Sequence, residues 1–216
     1  LKQGTTYYAW VKDAAGNVSA SKSTATGSVT GLEIKVNTTN WSTSKTITIT
    51  AVDSNYSNIR YTTDGTIPTS TTGTTIASGG TFTITSNCTI TAVAFDSTGQ
   101  AGSAATNKIT KIDREKPVVT SATPSTNSVR IKATDNEAGI VGYAVTTSTT
   151  APTSFTSCDS TKSLDVIVDG LKQGTTYYAW VKDAAGNVSE GKSTGTVTVA
   201  GLEIKVNTTN WSTSKT

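Results

Sequence analysis

Residues 171–189 read LKQGTTYYAWVKDAAGNVS, and the same stretch stands at 1–19. Within it Tyr177, Ala179 and Val181 alternate with Tyr178, Trp180 and Lys182, the period of a strand with one face toward a core. The first set is expected to face inward and the second outward. The strand runs into Asp183-Ala-Ala-Gly186-Asn187, a hairpin signal. There Gly186 supplies positive φ and the aspartate accepts from the turn's own amides. Gly16 has the same part after Asp13. A strand ending in a glycine hairpin, present twice, sets the fold class as all-β.

Working outward, the identity extends over 1–46 and 171–216 with six substitutions, all between Ala20 and Thr30 and their partners Glu190 to Ala200. The offset of 170 residues is too long for a solenoid repeat and suits two sandwiches per unit. A weaker echo lies inside the unit. IRYTTDGTIPTS (59–70) and VGYAVTTSTTAPTS (141–154) share a Tyr and a final Pro-Thr-Ser, and TITAVAFDSTGQAGS (89–103) follows the pattern of 176–190. The companion strand is expected to turn Ile90, Ala92 and Ala94 inward and Thr91, Val93 and Phe95 outward. Alternation of period 2 also marks 46–52, 81–85, 128–134 and 164–168, and no segment keeps a helical period over ten residues. The expected organisation is a C-terminal half-sandwich at 1–31, complete sandwiches at 32–113 and 114–201, and the first strands of another at 202–216. Asp113-Arg-Glu-Lys-Pro117 reads as the linker between the complete ones.

Composition narrows the function. Apolar residues make up 34% and charged residues 15%, which suits thin sandwiches rather than a thick-cored enzyme. The net charge of +3 comes from scattered Lys and Arg, so no stripe tracks the phosphates of a nucleic acid. No apolar run reaches the ~20 residues that span a bilayer. Histidine is absent, which removes the commonest general base and zinc ligand, and no catalytic constellation can be assembled. The chain is read as non-enzymatic.

Several stretches carry a family resemblance. Leu171-Lys-Gln-Gly174-Thr175-Thr-Tyr177 is similar to the tyrosine corner of fibronectin type III domains, and Leu1 to Tyr7 repeats it. That resemblance implies a Tyr177 (and Tyr7) hydroxyl tied to upstream backbone. Lys182 to Ser189 and Asp135-Asn-Glu-Ala-Gly-Ile-Val-Gly-Tyr143 look like bacterial immunoglobulin-like surface repeats, as does the opening Asn40-Trp41-Ser. Tyr61-Thr-Thr-Asp64-Gly65-Thr-Ile-Pro68-Thr69 is similar to the C-terminal sandwich of chitobiase-type glycosidases, a non-catalytic module. Together these imply tandem immunoglobulin-like (fibronectin type III-like) β-sandwiches in a bacterial extracellular or cell-surface protein.

Candidate sites are few. Asp113, Asp135 and Glu137 are the acids through which calcium could stiffen a junction of the kind such fibres use, although no DxDxDG spacing is present. Against that stands the plainer reading as solvated turn acids, and no other cofactor is expected. Cys88 and Cys158 fall in different expected domains, which leaves either free small hydrophobes or a bond between neighbouring domains or chains. Tyr8, Trp10, Trp41, Tyr178 and Trp180 could stack on a sugar, but packing against a neighbouring domain or sheet edge is the favoured reading, with Trp41 and its copy Trp211 closing a sandwich end. The many Asn-x-Ser/Thr triplets follow from the abundance of Ser and Thr. The function read from all this is a structural stalk, shaft or filament whose partners are neighbouring repeats. The alternatives are glycan- or host-binding adhesin repeats, or an accessory module of a secreted polysaccharide-degrading enzyme.

Overall fold

The computed structural model describes residues 5–25, 31–52 and 54–198, so Trp211 and the stretch 202–216 lie outside the described residues. The chain divides into two compact units, Leu1–Arg114 and Glu115–Thr216. Every described regular element is a β-strand.

The first unit opens with an antiparallel hairpin, β1 (Thr6–Ala9) and β2 (Lys22–Ala25), whose strands pair with each other alone among the described strands. Seven more strands follow: β3 (Leu32–Val36), β4 (Lys45–Ala51), β5 (Asn58–Thr62), β6 (Thr74–Ile76), β7 (Gly80–Ile84), β8 (Cys88–Phe95) and β9 (Ala105–Ile109). They form a three-stranded sheet, β3-β4-β7, and a four-stranded sheet, β6-β5-β8-β9. The Thr/Ile alternation of β4 aims Ile47 and Ile49 at Ile59, Ile90, Ala92 and Ala94, and all six are fully buried. Burial of these branched side chains is the main force holding the two sheets together.

The second unit repeats the plan with β10 (Val118–Pro124), β11 (Val129–Thr134), β12 (Ile140–Thr146), β13 (Thr156–Thr161), β14 (Ser163–Val168), β15 (Thr176–Asp183) and β16 (Lys192–Thr196). Its sheets are β10-β11-β14 and β13-β12-β15-β16, the same positional order as in the first unit. In β11 every second residue (Val129, Ile131, Ala133) is buried and the others are exposed, as the alternation predicts. These pack against Ile140, Leu164, Ala179, Val181 and Val197. An all-β chain of fibronectin type III-like, immunoglobulin-like sandwiches is therefore what the sequence folds into.

Two strands depart from the expected one-faced burial. In β8 the outward residues Thr91, Val93 and Phe95 are 1–2% exposed. At Thr91 the loop after β5 lies over the strand: Asp64 bridges to Thr89, and the Thr91 hydroxyl donates to the Gly65 carbonyl at 3.2 Å. In β15 the outward Trp180 is 4% exposed. Its indole N–H donates to the Thr146 hydroxyl at 3.1 Å, and its ring lies over Gly191, where a Cβ would come within 2.5 Å of it.

The turns follow their chemistry. Gly186 has φ 98° and Gly16 φ 94°, a region open to glycine at no steric cost. Asp183 accepts from the Asn187 amide through Oδ1 (2.8 Å) and from the Asn187 side chain through Oδ2 (2.7 Å). Asp13 and Asn17 repeat the arrangement, and those bonds from Asn17 hold the exposed Asp13 carboxyl below its ordinary pKa. Ahead of β15 the Tyr177 hydroxyl accepts from the Lys172 amide at 2.9 Å, fastening the entry of the strand. Tyr177→Phe is expected to cost the second unit about 1 kcal/mol, the net worth of one such bond. A urea midpoint that falls with unchanged m-value would agree; an unchanged midpoint would not.

Candidate functional site

The buried carboxylates come first because a charge taken from water needs compensation. Asp135 and Asp183 of the second unit are 6% and 1% exposed, and their carboxylate oxygens lie within 4.8 Å of each other. Asp135 sits where β11 ends, with Oδ2 accepting from the Gly139 amide. Gly139 takes φ 82° there. Asp183 closes β15 and commits both oxygens to Asn187. Glu137, expected beside Asp135, is instead exposed. The Asn136 and Glu137 carbonyls accept from the Lys162 ammonium, so this loop is held by its backbone. Asp113, in the first unit, is buried, and its amide donates to the Ser42 carbonyl at 3.0 Å.

An all-oxygen pair such as Asp135 and Asp183 has the chemistry of a hard cation site. It supplies two carboxylates against the six to eight oxygens that calcium takes. Asp183 was legible in the sequence only as a turn residue; its being the last residue of a strand with a buried inner face was the signal that it would be buried.

A second buried charge escaped the sequence reading. Lys45 is 3% exposed at the start of β4, and its ammonium donates to the Thr38 and Asn40 carbonyls at 3.0 Å each. Burial holds its pKa below the usual lysine value. The arrangement caps the 38–40 turn.

The thiols are each half-buried against their own unit's core, Cys88 with the Ile47 cluster and Cys158 with the Ile131 cluster. Burial raises the pKa of both, and Asp159 adds to the effect at Cys158. The Cys158 thiol also donates to the Ile140 carbonyl at 3.8 Å.

The candidate sugar-stacking rings differ in exposure. Trp180 is buried, while Tyr178 and Trp41 are half-buried. Only Tyr8 and Trp10 are widely exposed, with ring centroids 6.1 Å apart and planes tilted by 30°. An open groove of about 750 Å³ lies in the first unit, between the free edges β6 and β7. Its wall holds Tyr61 stacked on Phe82 at 4.1 Å, with Asn87, Cys88 and threonine hydroxyls around them. Asp64 is the sole carboxylate of that lining, and Thr66 engages it through amide and hydroxyl. A lone hydrogen-bonded acid has no partner for acid–base work on a glycosidic bond.

Residues 47–109 match the family model described as Fn3 associated. No curated protein sequence matches. Among solved structures, the fibronectin(III)-like modules of Clostridium thermocellum CbhA align at 16% identity and a TM-score of 0.36, over 80% of this chain and 98% of that one. Domains 7, 8 and 9 of the S-layer protein SbsC align at 17% identity and a TM-score of 0.28, over 94% and 73%. The matched stretch runs from β4 through β9 of the first unit, and the second unit repeats the strand order of that unit, so the fold is one of fibronectin type III-like, immunoglobulin-like sandwiches.

Proposed function

We propose that the chain is a repeat segment of the shaft of a bacterial extracellular surface fibre or stalk, acting as a spacer with neighbouring repeats as its partners. The observation that carries this reading is the near-exact return of 1–46 at 171–216. Copying a whole unit adds length in constant steps, which is what a spacer needs. The sandwiches fit such a role. Each has its own core, and among the described residues no nucleophile–base constellation comes together.

The test is to add one 170-residue unit to the full-length protein on its native surface. The projecting length, read by electron microscopy, is expected to grow by a constant increment while attachment to glycans or host protein stays unchanged. Unchanged length with attachment rising per added unit would replace the spacer by repeated binding modules.

A further inference from the structure

The two sheets of the first sandwich meet along their edge strands β3 and β9, where the Asn107 side-chain amide donates to the Ile34 carbonyl at 3.1 Å. A cleft of about 290 Å³ opens there, between the end of β3, the turn ahead of β4 and the chain at and just past the end of β9. Its lining holds three lysines (Lys45, Lys108 and Lys111) and no carboxylate, with Thr38 and Thr39 adding hydroxyls. Spacing along the chain hides this grouping, because Lys45 comes long before the other two and only the sandwich brings them to one cleft.

Two of these lysines stand where the fold does not require a charge. Lys45 is 3% exposed and begins β4 opposite Ile84. The corresponding pair of the second sandwich is Val129 opposite Val168, with Val129 fully buried. An apolar residue thus closes the same end of the same sheet, without the cost of burying a cation. The Lys45 ammonium gives two of its three N–H groups to the Thr38 and Asn40 carbonyls and has no carboxylate partner among the described residues. Burial holds its pKa down, and the charge of Lys111 pushes the same way, so the two cations sense each other. Lys111 itself takes φ 62°, a conformation that glycine adopts without the clash at Cβ.

We infer that this cleft binds a doubly charged oxyanion of the sulfate or phosphate type, held by Lys45, Lys108 and Lys111. A buried ammonium beside a second one, with no acid in the lining, is positive charge that an anion neutralises. A tetrahedral oxyanion suits it because its oxygens accept from several ammonium groups at once. Three lysines in one cleft are a point of charge and not a stripe, so tracking along a nucleic acid is no part of the inference. The same chemistry comes from a free ion or from a group carried on an anionic polymer. The inference goes beyond the spacer reading and stands whether or not the chain is a spacer.

The experiment titrates the full chain with inorganic sulfate, and in a second arm with dextran sulfate, at ionic strength held constant with chloride. The backbone amide NMR shifts of 38, 39 and 107–111 are the readout, and they are expected to saturate together. Lys111→Gly removes one cation and suits the φ of 62°. It is expected to raise the half-saturation concentration at least about 10-fold, while the urea midpoint of the first unit holds or rises. Lys172→Gln removes the same charge from the second unit and is expected to leave binding as it was. Saturation by inorganic sulfate assigns a free ion, and saturation by dextran sulfate alone assigns a group on a polymer. Shifts that drift without saturating in both arms overturn the inference, as does an unchanged half-saturation in Lys111→Gly. Equal weakening by the two variants also overturns it, because the attraction is then one of overall charge.

Discussion

Trp180→Ala is expected to lower the unfolding free energy of the second unit by about 3–5 kcal/mol, the usual range for truncating a large buried ring. The loss has three sources: the ring's buried area, the cavity left over Gly191, and the Thr146 hydroxyl left without its indole donor. Trp10→Ala, within an identical run of sequence, is expected to stay within about 0.5 kcal/mol because that ring is 57% exposed. Urea titrations of the two variants beside the parent chain check the contrast. Equal losses would mean that Trp10 is buried in solution as Trp180 is.

Ile47→Ala should cost the first unit about 3–4 kcal/mol, within the range for deleting a fully buried branched side chain. Ile47 is 0% exposed and packs at the centre of the cluster formed with Ile59, Ile90 and Ala92. Its neighbour in β4, Thr48, is only half-buried, and Thr48→Ala should move stability far less. Single domains hold only about 5–15 kcal/mol in all, so the isoleucine variant comes near the edge of unfolding. The readout is the denaturant midpoint together with exchange rates in β4, β5 and β8. A loss below about 1 kcal/mol would show that the two sheets do not close over Ile47.

The strict alternations were the legible part of the fold. Strand β11 buries every second residue because one face meets the opposite sheet and the other meets water. Strand β8 broke the rule because the chain after β5 folds back over its outer face, and local periodicity carries no record of a loop's path. Trp180 is the same case, with glycine at 191 making room for a ring that alternation assigned to solvent. The short strands β6 and β13 were missed because both lie at sheet edges and are largely exposed.

The candidate site was less legible. Asp135 was singled out and is buried, but Glu137, two residues on, is exposed, and the acid beside Asp135 is Asp183, some fifty residues away. Sequence spacing groups acids that are close along the chain, whereas a sandwich brings together the ends of β11 and β15. Lys45 escaped for a related reason: its carbonyl partners at Thr38 and Asn40 exist only once the turn before β4 has formed.

The most direct measurement is amide hydrogen exchange on the unmodified chain, comparing 6–9 with 176–179. Both stretches read TYYA between identical neighbours, so their intrinsic exchange rates are equal and any difference reports structure alone. Protection at 176–179 is expected to exceed that at 6–9 by roughly 10³-fold or more, the factor that about 5 kcal/mol of unit stability supplies. Equal protection of the two stretches would contradict a fold in which β15 lies between β12 and β16 while β1 pairs, among the described strands, with β2 alone.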